Sequence, residues 1–295
     1  MRPSSNFPKD FRPSPIRADL HMHTSHSHGE ASTRDMYLAA RSKGLTIIGF
    51  SEHSPRPETH SYPTDYQEKL REGIPAYVRE VSALARSAEE SGVEVLLGIE
   101  ADYIPMREDF TVSFLRNYPF AYVIGGLHFQ GEWGFDRSAD DWMPLSGTER
   151  AKIYVRYYED MIRMCKSRLF DIVAHPDLVK IFSIADFRDW IAEESSFSLV
   201  RDALIAMRDN GLLMEVSSAG LRKPCKEIYP GPRIMSLAAE LGLSISFASD
   251  AHCINTPAYA FPELAAYAAS FGYRESAVPR NRELRFFPFS SPGKP

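Results

Sequence analysis

Short apolar runs alternate with longer amphipathic segments through most of this chain. Seven runs stand out: Ile16–Leu20, Thr46–Phe50, Val93–Ile99, Ala121–Gly125, Phe170–Ala174, Leu212–Val216 and Leu243–Ala248. They are rich in Ile, Val, Leu and Phe and mostly lack a two-residue alternation. Such runs suit strands covered on both faces, as in a parallel sheet. The amphipathic segments predict helices over Ser32–Lys43, Tyr66–Ser91, Thr148–Ser167, Phe197–Asn210 and Gly231–Leu241. Four of these end at a glycine suited to a left-handed C-cap, in Lys43-Gly44, Ser91-Gly92, Asn210-Gly211 and Leu241-Gly242. Each glycine leads into the next apolar run, and strand, helix, glycine, strand is the repeat of a parallel barrel or a doubly wound sheet. The expected organisation is an irregular N-terminal tail over 1–15, one α/β domain over 16–288 and a C-terminal tail over 289–295.

The residues at the end of each run favour the barrel. His21-Met22-His23 comes after the first run, Glu52-His53 after the second, Glu100 after the third and His128 after the fourth. His175-Pro176-Asp177 comes after the fifth, and Asp250-Ala251-His252 after the last. The sixth run contains Glu215 and ends in Ser217-Ser218. Parallel strands share a direction, so their C-terminal ends ring one mouth of a closed barrel, where side chains converge. Imidazole and carboxylate together are ligands for divalent transition metals such as Zn, Fe or Mn. His21 and His23, two residues apart on an extended strand, point to the same face, and Asp250 and His252 repeat that spacing. So many donors exceed the needs of one ion and predict a cluster of two or three, bridged by a carboxylate. His28 lies where it could close over the mouth, whereas His26 and His60 read as solvated loop residues.

Composition excludes more than it selects. The chain has 295 residues, 44% hydrophobic and 25% charged, close to an ordinary soluble enzyme. Its 34 Lys+Arg against 39 Asp+Glu give a net charge of −5, which disfavours nucleic acid held through a general basic field. The three cysteines, Cys165, Cys225 and Cys253, are widely spaced. They form neither a disulfide framework nor a CxxC zinc motif, and they fit a reducing, cytoplasmic compartment. No apolar run is long enough to predict a membrane span, and the first fifteen residues lack the apolar stretch of a secretory signal.

The order His-x-His, Glu-His, Glu, His, His-Pro, Asp-x-His resembles the PHP (polymerase and histidinol phosphatase) superfamily, over Ala18 to Pro288. Gly125-Gly126-Leu127-His128-Phe129, Trp133-Gly134-Phe135-Asp136, Ala174-His175-Pro176-Asp177-Leu178-Val179 and Ala219-Gly220-Leu221-Arg222-Lys223-Pro224 resemble its histidinol-phosphate phosphatase branch, as does Glu227-Ile228-Tyr229-Pro230. The resemblance implies a distorted (β/α)7 barrel, related to the TIM barrel, with a trinuclear metal centre. One metal would take His21, His23, Glu100 and Asp250, the second Glu100, His128 and His175, and the third His28, His53 and His252. The loop from His23 to His28 is one residue shorter than is common in the family, which leaves His26 as the alternative to His28.

The implied reaction is hydrolysis of L-histidinol phosphate to L-histidinol and phosphate, by attack of a metal-bound hydroxide. Metal coordination lowers the pKa of water enough for this near neutrality, and no Ser or Cys nucleophile is needed. Glu100 and Asp250 are the catalytic ligands expected, and Arg222, beside Lys223, is the expected phosphate clamp, since a planar guanidinium suits phosphate. Lys180 is a second candidate. Asp177, Glu215, Glu132 and Asp136 are candidate acids for the cationic leaving group, with Phe129, Trp133 and Phe135 as aromatic walls. Asp177 could instead fix a histidine tautomer. The partner expected is a small phosphate monoester, with no nucleic acid and no membrane. The alternatives are a phosphoesterase of the same family acting on a nucleotide or sugar phosphate, and a metal-binding module without turnover.

Overall fold

The computed structural model describes residues 16–62 and 66–289. The expected N-terminal tail lies outside them, as does all of the C-terminal tail except Phe289. Each of the seven apolar runs forms a strand: β1 (Ala18–Asp19), β2 (Ile47–Phe50), β3 (Glu94–Asp102), β4 (Tyr122–Gly126), β7 (Ile172–Val173), β8 (Leu213–Ser217) and β9 (Ile245–Ala248). Two short hairpins complete the strands, β5 (Phe129–Gln130) with β6 (Trp133–Gly134), and β10 (Glu275–Arg280) with β11 (Glu283–Pro288).

The seven strands are parallel neighbours in the order β1-β2-β3-β4-β7-β8-β9. The two ends of this sheet meet mainly beyond the strands proper. His23 N–H donates to the Ala251 carbonyl at 2.8 Å, and Ala251 N–H donates to the His21 carbonyl at 3.2 Å. The barrel is thus closed by the two segments that carry His21, His23, Asp250 and His252. This is the distorted (β/α)7 barrel expected.

The predicted amphipathic segments form α1 (Thr33–Ser42), α2 (Tyr66–Ala88), α4 (Gly147–Lys166), α6 (Glu194–Asp209) and α8 (Pro232–Glu240). Local chemistry sets their ends. Ser32 caps α1 through the Asp35 N–H, and Ser146 with Glu149 makes a capping box on α4. Gly44, Gly92, Gly211 and Gly242 all take the left-handed backbone their positions predicted. The sequence pattern does not predict α3 (Glu108–Leu115), α5 (Ile184–Ala192), α7 (Ala219–Arg222) or α9 (Phe261–Ser270). Of these, α7 has only four residues, too few for a helical period to show.

Tyr122 fills the barrel interior. Its hydroxyl donates to the Leu20 carbonyl at 2.6 Å and the Phe50 carbonyl at 3.2 Å. Two glycines make room for it: a Cβ at Gly49 would meet its hydroxyl at 2.2 Å, and one at Gly98 would meet its ring at 2.3 Å. The β10–β11 hairpin, which the sequence did not announce, covers the end where the strands begin. Ala277 and Val278 join the buried cluster of Ala18, Leu20 and Ile47. Arg280 and Arg285 reach Glu94 at the start of β3, at 3.0 and 2.7 Å. Phe289 is buried against Phe247, with ring centres 4.8 Å apart, so the described head of the C-terminal tail is packed. One end of the barrel is thereby sealed, and the other carries the site. No described helix is long and apolar enough to cross a membrane.

Candidate metal centre

Glu100 stands at the centre of the open mouth. Its Oε2 lies 3.0 Å from His53 Nδ1, 3.1 Å from His21 Nε2 and 3.5 Å from His23 Nε2. Its Oε1 lies 3.4 Å from His175 Nε2 and 3.5 Å from His128 Nε2. Asp250 Oδ1 adds a second carboxylate 3.3 Å from His23 Nε2 and 3.7 Å from His21 Nε2. Three groups of donors converge closely enough to hold an ion: His21, His23 and Glu100; Glu100, His128 and His175; and His23, His53 and His252.

The donor set fits divalent transition metals. Both oxygens of Glu100, both ring nitrogens of His23, and Nε2 of His21 and His252 are buried without a hydrogen-bond partner. Buried polar atoms are normally satisfied, so a cluster of converging orphans marks a place for a cation. Glycine clears the space: a Cβ at Gly126 would lie 2.6 Å from the His128 ring and 3.0 Å from Glu100 Oε1.

Carboxylates outside the cluster orient the rings, the usual device behind metal-binding histidines. Glu215 Oε2 accepts from His21 Nδ1 at 2.7 Å, and its Oε1 accepts from the His175 backbone N–H at 3.2 Å. Asp102 Oδ1 accepts from His128 Nδ1 at 2.6 Å, while its Oδ2 accepts from Arg56 Nε. Glu52 Oε1 binds the Thr24 backbone N–H at 2.6 Å and lies, like His23, fully inside. Sequence reasoning missed Asp102 and Arg56. The spacing of Glu100 and Asp102 puts them on one face of β3, and that is the one signal the sequence carries for Asp102.

The loop carrying Asp250 is fixed from two sides. Asp19 accepts from the Ser249 and Ala258 backbone N–H groups at 3.0 and 2.9 Å and from the Ser249 hydroxyl at 2.5 Å. Arg222 Nη2 donates to the Ser249 carbonyl and, at 3.1 Å, to the Asp250 carbonyl. Asp250 and His175 both hold positive φ, 51° and 23°. Non-glycine residues keep such backbone only when the surroundings enforce it, commonly at working sites.

Burial opposes ionisation of Glu100, but His53, His21 and His128 outweigh it and hold its pKa well below the usual carboxylate range. Burial likewise opposes the charge on Asp250, and His252 and His21 hold it down. For His128, burial lowers the pKa, yet Asp102 and Glu100 prevail and raise it to about 9. Burial and the neighbouring His23 lower His252 to about 4.

The structure separates the two loop histidines. His28 sits at the rim, its ring centre 4.2 Å from that of His252 and 5.0 Å from that of His53, with Nδ1 3.0 Å from the Tyr66 hydroxyl. His26 turns away to Glu80 on α2, at 2.9 Å. His60, expected to be solvated, is buried against Phe129 instead.

The mouth opens into a cavity of about 400 Å3, walled by Tyr62, Tyr66, Asp136, Leu178, Ile181 and Lys223 besides the metal donors. Of Arg222, Lys223, Asp177, Phe129 and Trp133, expected to bind substrate, Lys223 alone lines it. Arg222 is engaged with the carbonyls of the Asp250 loop. Asp177 is wholly buried, accepting from Lys180 Nζ at 2.6 Å and the Gly231 N–H at 2.7 Å, so it touches no histidine ring. Lys180 is committed in turn to Asp177 and, at 2.7 Å, to Glu227. Phe129 lies behind the wall, beside Arg56 and His60. Trp133 packs on Trp142 with ring centres 5.5 Å apart. Among the acids considered for the leaving group, Glu215 is spent on His21, and Asp136 alone faces the cavity. Its Oδ1 accepts from the Tyr62 hydroxyl at 2.6 Å.

Barrel and donor cluster together define a candidate metal centre at the carboxyl end of a (β/α)7 fold. Residues 19–219 match the PHP domain, and this chain belongs to the PHP family. A Deinococcus radiodurans protein named "Probable histidinol-phosphatase" is 34% identical over 79% of this chain and 85% of its own. The Bacillus subtilis histidinol-phosphatase is 26% identical over 83% of this chain and 97% of its own. Among solved structures, the histidinol phosphate phosphatase of Lactococcus lactis, complexed with zinc, L-histidinol and phosphate, superposes with a TM-score of 0.75. It is 18% identical, covering 92% of this chain and 100% of that one. This likeness bears on the fold.

Proposed function

We propose that this chain is a metal-dependent histidinol-phosphatase, hydrolysing L-histidinol phosphate to L-histidinol and phosphate. The observation that carries the reading is the convergence of seven histidines, Glu100 and Asp250 on one mouth, in a chain 34% identical to a relative named for that activity. The cluster would hold two or three ions of the Zn, Fe or Mn type. His21, His23, Glu100 and Asp250 serve the first and Glu100, His128 and His175 the second. His53 and His252 serve the third, with His28 beside them at the rim. Such metals supply charge neutralisation and an activated water, the main requirements of phosphate ester hydrolysis.

The protein's own residues do the rest. Glu100 reaches toward five histidines and would help hold more than one ion. Glu215 and Asp102 hold the Nδ1 protons of His21 and His128, which leaves each Nε2 as the donor toward the cluster. Arg222 holds the Asp250 loop by its carbonyls, a positioning role. Lys223 supplies positive charge at the cavity wall for the phosphate. Asp136, kept in place by Tyr62, meets the ammonium or imidazole of the leaving alcohol.

The test is metal analysis together with phosphate release from L-histidinol phosphate, a nucleoside monophosphate, a sugar phosphate and p-nitrophenyl phosphate. A preference for the first, lost in Asp136→Asn, is expected. Equal rates across the set would leave a phosphatase but defeat the substrate assignment. A single ion per chain would defeat the cluster.

A further inference from the structure

Arg222 and Lys180 are engaged inside the protein, and a guanidinium not singled out by the sequence lies in the cavity wall instead. Arg56 is 1% exposed. Its Nε donates to Asp102, its Nη2 lies 3.4 Å from His53 Nδ1, and its Nη1 is buried with no partner. Tyr62, Tyr66 and Phe129 surround it, with ring centres 5.4, 5.7 and 5.4 Å from the guanidinium carbon.

A guanidinium stays charged wherever it is put. Removing it from water is costly unless its donors are satisfied. Its one carboxylate is shared with His128, so neither the charge nor the donor set of Arg56 is balanced by the protein alone. The aromatic surround fixes its plane and keeps competing water away. Arg56 also touches both a ring partner of the cluster, through Asp102, and His53, so it stands at the edge of the donor set.

We propose that Arg56 Nη1 donates a hydrogen bond to the phosphoryl group of the bound substrate, and to inorganic phosphate after release. The inference rests on the phosphatase reading above. It makes Arg56 a phosphate-binding residue at the cavity wall, with Nε reserved for holding Asp102.

The experiment titrates the metal-loaded wild type, Arg56→Lys and Asp102→Asn with inorganic phosphate by calorimetry, alongside metal content and steady-state kinetics. Arg56→Lys keeps a cation for Asp102 but loses Nη1. It should retain its metals, bind phosphate about tenfold more weakly or worse, and show its loss in KM more than in kcat. Asp102→Asn should bind phosphate more tightly than Arg56→Lys does. Arg56→Met, apolar and suited to the aromatic surround, is the second variant should the lysine form not fold, with the same loss expected. Wild-type phosphate affinity in the Arg56 variants overturns the proposal. So does an equal loss in Asp102→Asn, which would mean that Arg56 acts only through Asp102. A wild type that hydrolyses no phosphate ester defeats the phosphatase reading separately, while the phosphate titration still reports on Arg56.

Discussion

Nδ1 of His21 donates to Oε2 of Glu215 at 2.7 Å across 194 positions of sequence. The bond joins the first barrel strand to the sixth in chain order and turns the free nitrogen of His21 toward Glu100. It also gives β8, the strand that ends without a donor to the cluster, its part in the site. Glu215→Gln keeps the shape and removes the charge. A fall of about 10–100-fold in metal affinity is expected, as for other orienting carboxylates. Competition with a chelator measures it, and circular dichroism should match the wild type.

Glu100 belongs to two of the three donor groups, and its Oε2 lies 3.0 Å from His53 of the third. Glu100→Ala should therefore release more than one ion and abolish phosphate release together. Elemental analysis of the dialysed variant checks this. Loss of a single ion would mean that Glu100 does not bridge.

Metal uptake should release protons. Without metal, Asp102 and Glu100 overcome burial and raise His128 to about 9, so its ring is charged at pH 7. Coordination requires the neutral ring. The apparent metal affinity should rise as pH increases toward about 9 and fall below it. Titration calorimetry in two buffers of different ionisation enthalpy counts the protons. No release at pH 7 would contradict the raised pKa.

The interior of the barrel should tolerate no added carbon at Gly49. A Cβ there would lie 2.2 Å from the hydroxyl of Tyr122, which is itself held by two backbone carbonyls. Gly49→Ala should cost about 1–3 kcal/mol, the usual penalty of overpacking. Chemical denaturation measures it. Gly49→Ala combined with Tyr122→Phe should recover part of the loss, because the atom in conflict is the hydroxyl.

The sequence by itself determined the strand-and-helix repeat and the donors at the strand ends. Seven apolar runs marked the seven parallel strands, and glycines after four helices marked the turns between them. Those features are local: a covered strand needs a continuous apolar run, and a left-handed cap needs glycine. Parallel direction then brings strand ends together whatever their distance in sequence, which is why His21 and His252 could be assigned to one mouth.

Only the tertiary structure decided which polar residues face that mouth. Arg222 and Asp177 looked suited to substrate, yet each finds partners inside the protein, from the Ser249 carbonyl to Lys180. Arg56 and Asp102 looked ordinary, yet their pairing lies against His53 and His128. The choice of His28 over His26 at the rim turns on the Glu80 carboxylate of α2, which holds His26 outside. The hairpin that seals the barrel floor has no period of its own and is fixed by the apolar ends it covers. A side chain's role here depends on which charge or carbonyl reaches it first across the fold, and sequence spacing carries no record of that.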